Sequence, residues 1–171
     1  PQYILHKAHT QFKEVTGLTM EAMGELEYYI IADDEEMYAT PDQKGYHESA
    51  PFNKFADLRN EAMRLIAQCG GLIKYGHSEV GNFSQEGKIY EQNETEFQPP
   101  DIEGAADQLV VAKWVMRQLA YQYGVTLTFA PKITVGKAGS GMHVHCKFSK
   151  NGQSMMTNNG ELTDECRKAI A

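Results

Sequence analysis

The chain has 171 residues, the length of one ordinary domain, and sets 16 Lys and Arg against 23 Asp and Glu for a formal charge of -7. That sign argues against nucleic acid and anionic membrane as partners, and 42% hydrophobic with 23% charged residues excludes a disordered or collagen-like chain. Its three cysteines, Cys69, Cys146 and Cys166, show no two-residue spacing and fit a reduced, cytoplasmic setting, while no run approaches the ~18 apolar residues of a membrane span.

In chain order, Ile4, Leu5, Ala8, Phe12 and Val15 recur at helical spacing and stop at Gly17, which predicts an amphipathic helix. MEAMGELEYYII, residues 20–31, alternates: Glu25, Glu27 and Tyr29 fall on one side of a predicted strand and Leu26, Tyr28 and Ile30 on the other. Residues 32–52 have no sustained period and read as a long loop. A second amphipathic helix is predicted over 54–69, closed by Gly70 and Gly71. Two extended pieces follow, 72–80 and 88–97, joined by the polar segment GNFSQEG; Tyr90, Gln92, Glu94 and Glu96 share a face of the second.

Residues 101–123 predict a long helix closed by Gly124, with Trp114 placed in its buried stripe beside Val110, Val111 and Val115. Strands resume at 126–130 and, after a glycine-rich stretch, at MHVHCKFSK, where Asn151-Gly152 marks a tight hairpin. Thr163 followed by Asp164 and Glu165 reads as a capped helix start. Helices mixed with antiparallel-type strands predict an α+β fold.

Glu25 and Glu27 project from one strand face about 7 Å apart, given a rise of ~3.3 Å per residue. Like charges so placed call for a cation, although an isolated Glu-x-Glu is usually a solvated face. His143 and His145 repeat that geometry, with Gly139, Ser140 and Gly141 before them permitting close backbone approach to a ligand; Cys146 points the other way. His77-Ser78-Glu79 and Glu91-Gln92-Asn93-Glu94 add two further clusters. A set rich in carboxylate and poor in imidazole favours Mg²⁺ or Mn²⁺ over Zn²⁺, and such ions usually serve phosphate chemistry. GKAGSG lacks the spacing of a phosphate loop and precedes a strand, so it is not read as one.

GELEYYI at 24–30, HSEV at 77–80, EQNETEF at 91–97, TFAPK at 128–132 and GSGMHVH at 139–145 together resemble the catalytic domain of glutamine synthetases. The resemblance implies a curved, mainly antiparallel sheet carrying ligands on its concave face, with helices on the other side. It implies an ATP-dependent ligase that joins ammonia to glutamate through a γ-glutamyl phosphate, using two divalent ions, Mg²⁺ or Mn²⁺, in a cytoplasmic homo-oligomer. By motif position Glu27, Glu79 and Glu94 would hold one ion and Glu25 and His143 the other. His145 would lie near the ATP phosphates and the Gly139 backbone near the amino-acid substrate.

The same resemblance makes residues 1–171 a single domain, the first half or so of a catalytic domain. It would lack the smaller β-rich N-terminal domain and the later arginines and flap glutamate, so no catalytic residue is assigned within it and it is expected to be inactive alone. Four positions depart from the family pattern: Ala138 replaces an Asn, Ser78 a His, Lys74 an acidic ATP contact and Lys147 a small hydroxyl residue. These departures keep two alternatives in view, a γ-glutamyl-amine ligase and a non-catalytic homologue retained for binding or regulation.

Overall fold

The computed structural model describes residues 1–171. The elements run α1 (Gln2–Thr16), β1 (Thr19–Asp33), α2 (Ala56–Gln68), β2 (Ile73–Gln85), β3 (Lys88–Phe97), α3 (Ile102–Gln122), β4 (Thr126–Thr128), β5 (Met142–Lys150), β6 (Gln153–Ser154), β7 (Thr157–Asn158), β8 (Glu161–Leu162) and α4 (Asp164–Ile170). The larger sheet has the order β2-β3-β1-β5-β6 with β4 also on β1, and β7 pairs with β8. This curled, antiparallel, mixed α and β architecture matches the predicted class. No helix is long and apolar enough to cross a membrane.

Contacts divide the chain into two compact units. The first comprises Pro1–Gly24, Pro99–Asp107 and Val144–Ala171; the second comprises Glu25–Gln98 and Gln108–His143. In the first unit, α1 ends where predicted because Gly17, at φ +68°, takes the left-handed turn and donates its N–H to the Lys13 carbonyl at 2.8 Å. Only part of its predicted stripe is used: Leu5 and Phe12 are half-buried, Phe12 packing on Phe148 at 5.4 Å, while Ile4 and Val15 stay exposed. His6 and His9 both reach the Glu103 carboxylate, at 2.9 and 2.8 Å, and Lys147 pairs with Glu21 at 2.8 Å. Thr163 caps α4 by accepting the Cys166 N–H at 3.1 Å, as its sequence predicts.

In the second unit the alternation of β1 becomes a division of labour. Leu26, Tyr28 and Ile30 join Leu58, Ala62 and Ile66 of α2, Phe97 of β3 and Ala112, Val115, Met116 and Leu119 of α3 in one buried cluster. Glu25, Glu27 and Tyr29 point from the opposite side, as residues one step out of phase must. The long segment between β1 and α2 contains neither helix nor strand, as predicted.

Two expectations are corrected here. Trp114 is 61% exposed, and Val110 and Val111 are also exposed. The buried stripe of α3 runs through 112, 115, 116 and 119, and position 114 lies about 200° of helical turn from 112, outside it. The segment GNFSQEG is not a loose link: β2 continues through Gln85, and Gln85↔Lys88 closes a two-residue hairpin turn with Glu86 at φ +53° and Gly87 at φ +72°. Positive φ at both turn residues matches the right-handed strand twist, a role Glu-Gly advertises less clearly than Asn-Gly.

Candidate metal centre

The candidate site is built on one face of three strands of the second unit. Antiparallel pairing sets Glu25 opposite Glu96 and Glu27 opposite Glu94 on β1 and β3. On the β2 side His77 stands opposite Glu94 and Tyr75 opposite Glu96. Directly opposed residues project from the same face, so this register gathers four carboxylates and an imidazole that are distant in sequence.

Between Ser78↔Asn93 and Asn82↔Glu91 the pairing slips, leaving residues 79–81 of β2 to oppose a single residue of β3. This is a bulge, a device that re-aims a side chain, and Glu79 is its first residue. Gly81 completes it: its N–H donates to Gln92 Oε1 at 3.0 Å, and a Cβ there would lie 1.9 Å from the Tyr29 hydroxyl oxygen. Glu79 turns one oxygen to the Val80 N–H at 2.9 Å and the other towards His77 Nδ1 at 3.9 Å.

Glu27, 9% exposed, is held in place from one side only. Its Oε2 accepts from Gln92 Nε2 at 2.9 Å and from the Gly141 N–H at 3.1 Å. Its Oε1 looks towards His143 Nδ1 at 3.9 Å, and His143 Nδ1 lies 3.1 Å from Glu25 Oε2. The His143 side chain is 71% exposed, so one edge of the cluster is open to ligands.

The glycine-rich loop is pinned to the same face. Gln92 also donates to the Gly139 carbonyl at 2.9 Å, the Tyr29 hydroxyl donates to the Ala138 carbonyl at 2.8 Å, and the Ala138 N–H donates to Gln43 Oε1 at 2.7 Å. At Gly139 a Cβ would meet the Pro131 carbonyl oxygen at 2.5 Å, so only glycine lets the backbone run this close. Sequence reading missed the roles of Gln92 and Tyr29; the shared strand face of Tyr29, Glu27, Gln92 and Glu94 was the available signal.

The electrostatics follow from the crowding. Burial, reinforced by the neighbouring carboxylates of Glu79, Glu27, Glu25 and Glu96, pushes the Glu94 carboxyl up to about 8. Glu96 moves the other way, held below its ordinary value by hydrogen bonds from Lys74 and Tyr75 that outweigh its desolvation. Lys74, which stands where an acidic residue was expected, lies 2.7 Å from Glu96 Oε2. His77 Nε2, Glu94 and Glu96 offer ligand atoms that all lie within 4.8 Å of one another. The structure thus brings together Glu25, Glu27, Glu94, His143 and the Gly139 loop, with Glu79 at their border. His145 lies two residues beyond His143 on β5, exposed and within the first unit.

The family model for the glutamine synthetase catalytic domain matches residues 1–171. The chain belongs to the glutamine synthetase family. A glutamine synthetase of Clostridium saccharobutylicum is 32% identical over 157 residues, which cover 90% of this chain and 33% of that protein. The fold superposes on a Plasmodium falciparum glutamine synthetase with a TM-score of 0.79 at 19% identity, covering 93% of this chain and 36% of that one. It superposes on a GmaS/ADP complex with a TM-score of 0.76 at 20% identity, covering 94% and 36%. The chain therefore spans about a third of the length of the glutamine synthetases it matches.

Proposed function

We propose that this chain supplies the metal-holding face of an ATP-dependent glutamate-ammonia ligase that forms glutamine through a γ-glutamyl phosphate. The observation that carries this reading is the face itself: Glu25 opposite Glu96 and Glu27 opposite Glu94, with His143 Nδ1 against both β1 carboxylates. Buried like charges at this density need counter-cations, and the oxygen-rich donor set suits Mg²⁺ or Mn²⁺. Glu27, Glu79 and Glu94 would hold one ion and Glu25 with His143 the other. Bound there, divalent ions would neutralise the phosphate oxygens while charge moves from ATP to the glutamate carboxylate.

The chain's own residues set the stage for that chemistry. Gln92 and the Gly141 N–H fix one oxygen of Glu27, so the other is directed to the cluster without loss of rotamer freedom on binding. Tyr29, Gln92 and Gln43 fix the loop at Ala138 and Gly139, where the backbone would meet the glutamate substrate. His145 would contact the ATP phosphates. Lys147, in place of a small hydroxyl residue, is neutralised by Glu21 and adds no free charge there.

The test is phosphate release by the protein that carries this chain, given ATP, glutamate, ammonium and Mg²⁺. Release that depends on both glutamate and ammonium, and that Glu27→Ala and His143→Ala each abolish, is the expected result. Release indifferent to those two substitutions, or to ammonium, would overturn the proposal.

A further inference from the structure

His77 is the one imidazole of the second unit sealed inside this face, with 7% of its surface exposed. Its ring lies between those of His47, at a centroid distance of 4.4 Å, and Tyr75, at 5.4 Å, both stacked. Nδ1 lies 2.9 Å from the Ser78 carbonyl oxygen. A carbonyl only accepts, so this contact occupies Nδ1 as a donor and leaves Nε2 as the ring nitrogen open to a cation.

Nε2 has no carboxyl oxygen within hydrogen-bonding distance. It faces Glu94 Oε2 at 3.9 Å and Glu96 Oε1 at 4.0 Å, both beyond hydrogen-bonding distance and both acceptors when ionised. Glu94 is 5% exposed and turns Oε2 to the imidazole, so a buried carboxyl group is aimed into this space. Glu96 gives Oε2 to Lys74 and keeps Oε1 towards His77. An imidazole nitrogen and two carboxyl groups converging on one point repel one another unless protons or a cation lie among them.

The geometry points to a further divalent-cation site formed by His77 Nε2, Glu94 and Glu96. Neither His77 nor Glu96 belongs to the two ion sites of the ligase reading, and the inference does not depend on that reaction, although Glu94 is shared. Ligand atoms held ~2.1 Å from an ion at the tetrahedral angle lie about 3.4 Å apart, so the two separations from Nε2 close by roughly half an ångström and the carboxyl pair, within 4.8 Å, by up to about 1.4 Å. An imidazole whose far nitrogen donates to a backbone carbonyl is the usual arrangement of a metal-binding histidine. One nitrogen beside two oxygens selects borderline ions such as Zn²⁺, Co²⁺ or Mn²⁺ over Mg²⁺.

The test is calorimetric titration of Co²⁺ into the chain and its His77→Gln, Glu96→Gln, Glu25→Gln and Lys74→Ala variants, with far-UV circular dichroism on the same samples. One Co²⁺ equivalent should weaken by at least about tenfold in His77→Gln and in Glu96→Gln, the loss that even an outer hydrogen-bond partner of a ligand causes. The same equivalent should persist in Glu25→Gln and tighten in Lys74→Ala, which frees Glu96 Oε2. If His77→Gln does not fold, Glu96→Gln decides. Unchanged Co²⁺ binding in folded His77→Gln and Glu96→Gln removes this site; if Glu25→Gln then still weakens Mn²⁺, the ligase ions stand. The reverse pattern, dependence on His77 without any dependence on Glu25, leaves this site and removes the other reading.

Discussion

Replacing Glu94 with Gln separates the stability of this face from its use. Glu94 is buried among Glu79, Glu27, Glu25 and Glu96, and its carboxyl is pushed up to about 8 from an ordinary value of 4.5. Between those two values the folded chain keeps a proton that the unfolded chain has lost. Stability from this group is therefore undiminished below the unfolded value, falls as pH rises through the window and reaches its full penalty above about 8. At 1.36 kcal/mol per pH unit, the penalty comes to roughly 3 kcal/mol by pH 7 and to under about 1 kcal/mol at pH 5. Glutamine is the neutral isostere of the protonated acid and does not titrate. Urea denaturation with chelator present should find Glu94→Gln more stable than the parent chain by roughly 3 kcal/mol at pH 7, with most of that gain gone at pH 5. Mn²⁺ at 1,000 times its Kd should reverse the order at pH 7, because it stabilises by about 4.1 kcal/mol and the variant forfeits that. An effect of equal size at both pH values would show that crowding of charge does not set the behaviour of this side chain.

Other substitutions probe the frame. Gly81→Ala forces a methyl group against the Tyr29 hydroxyl and Gln92 Oε1, so it should cost about 1–3 kcal/mol in urea denaturation and weaken Mn²⁺ binding through the displaced Gln92. Arg59→Met should cost about 1–3 kcal/mol for each of the two acceptors it abandons, because Asn53 Oδ1 and Asn93 Oδ1 lose a buried donor; a thermal melt checks it. Met116→Ala in the core should cost about 2–5 kcal/mol, whereas Trp114→Ala on the same helix should stay within about 0.5 kcal/mol, which reverses the ranking that residue size would suggest.

Local pattern made much of this legible. Helix ends at Gly17 and Gly124, the Asn151-Gly152 hairpin and the shared face of Glu25 and Glu27 follow from backbone preferences and period alone. What stayed hidden depends on register between strands. Nothing in the run from His77 to Glu96 shows that His77 lies opposite Glu94, because the bulge at Glu79 to Gly81 and the Glu86-Gly87 turn decide the pairing together. Trp114 was misplaced for a related reason: the side of α3 that is buried is chosen by α2 and β1, and periodicity cannot name the partner.

The opposite face of β3 shows how that register is specified. Glu91 accepts from Asn53, Asn93 and the N–H groups of Lys54 and Phe55, while Arg59 donates to Asn53 and Asn93, so Glu91, Asn93, Asn53 and Arg59 are joined in one network on the core side. A one-residue slip of β3 would exchange its two faces. Gln92, Glu94 and Glu96 would then enter the layer packed by Leu58 and Met116 with no Arg59 geometry to receive them, and Glu91 and Asn93 would replace them beside Glu27. The penalty for several unpaired buried polar groups far exceeds the few kcal/mol of a domain's net stability. The charged network beneath the sheet thus holds the carboxylates above it in place, and Arg59→Met should loosen metal binding as well as the fold, although Arg59 lies on the far side of the strand from every proposed ligand.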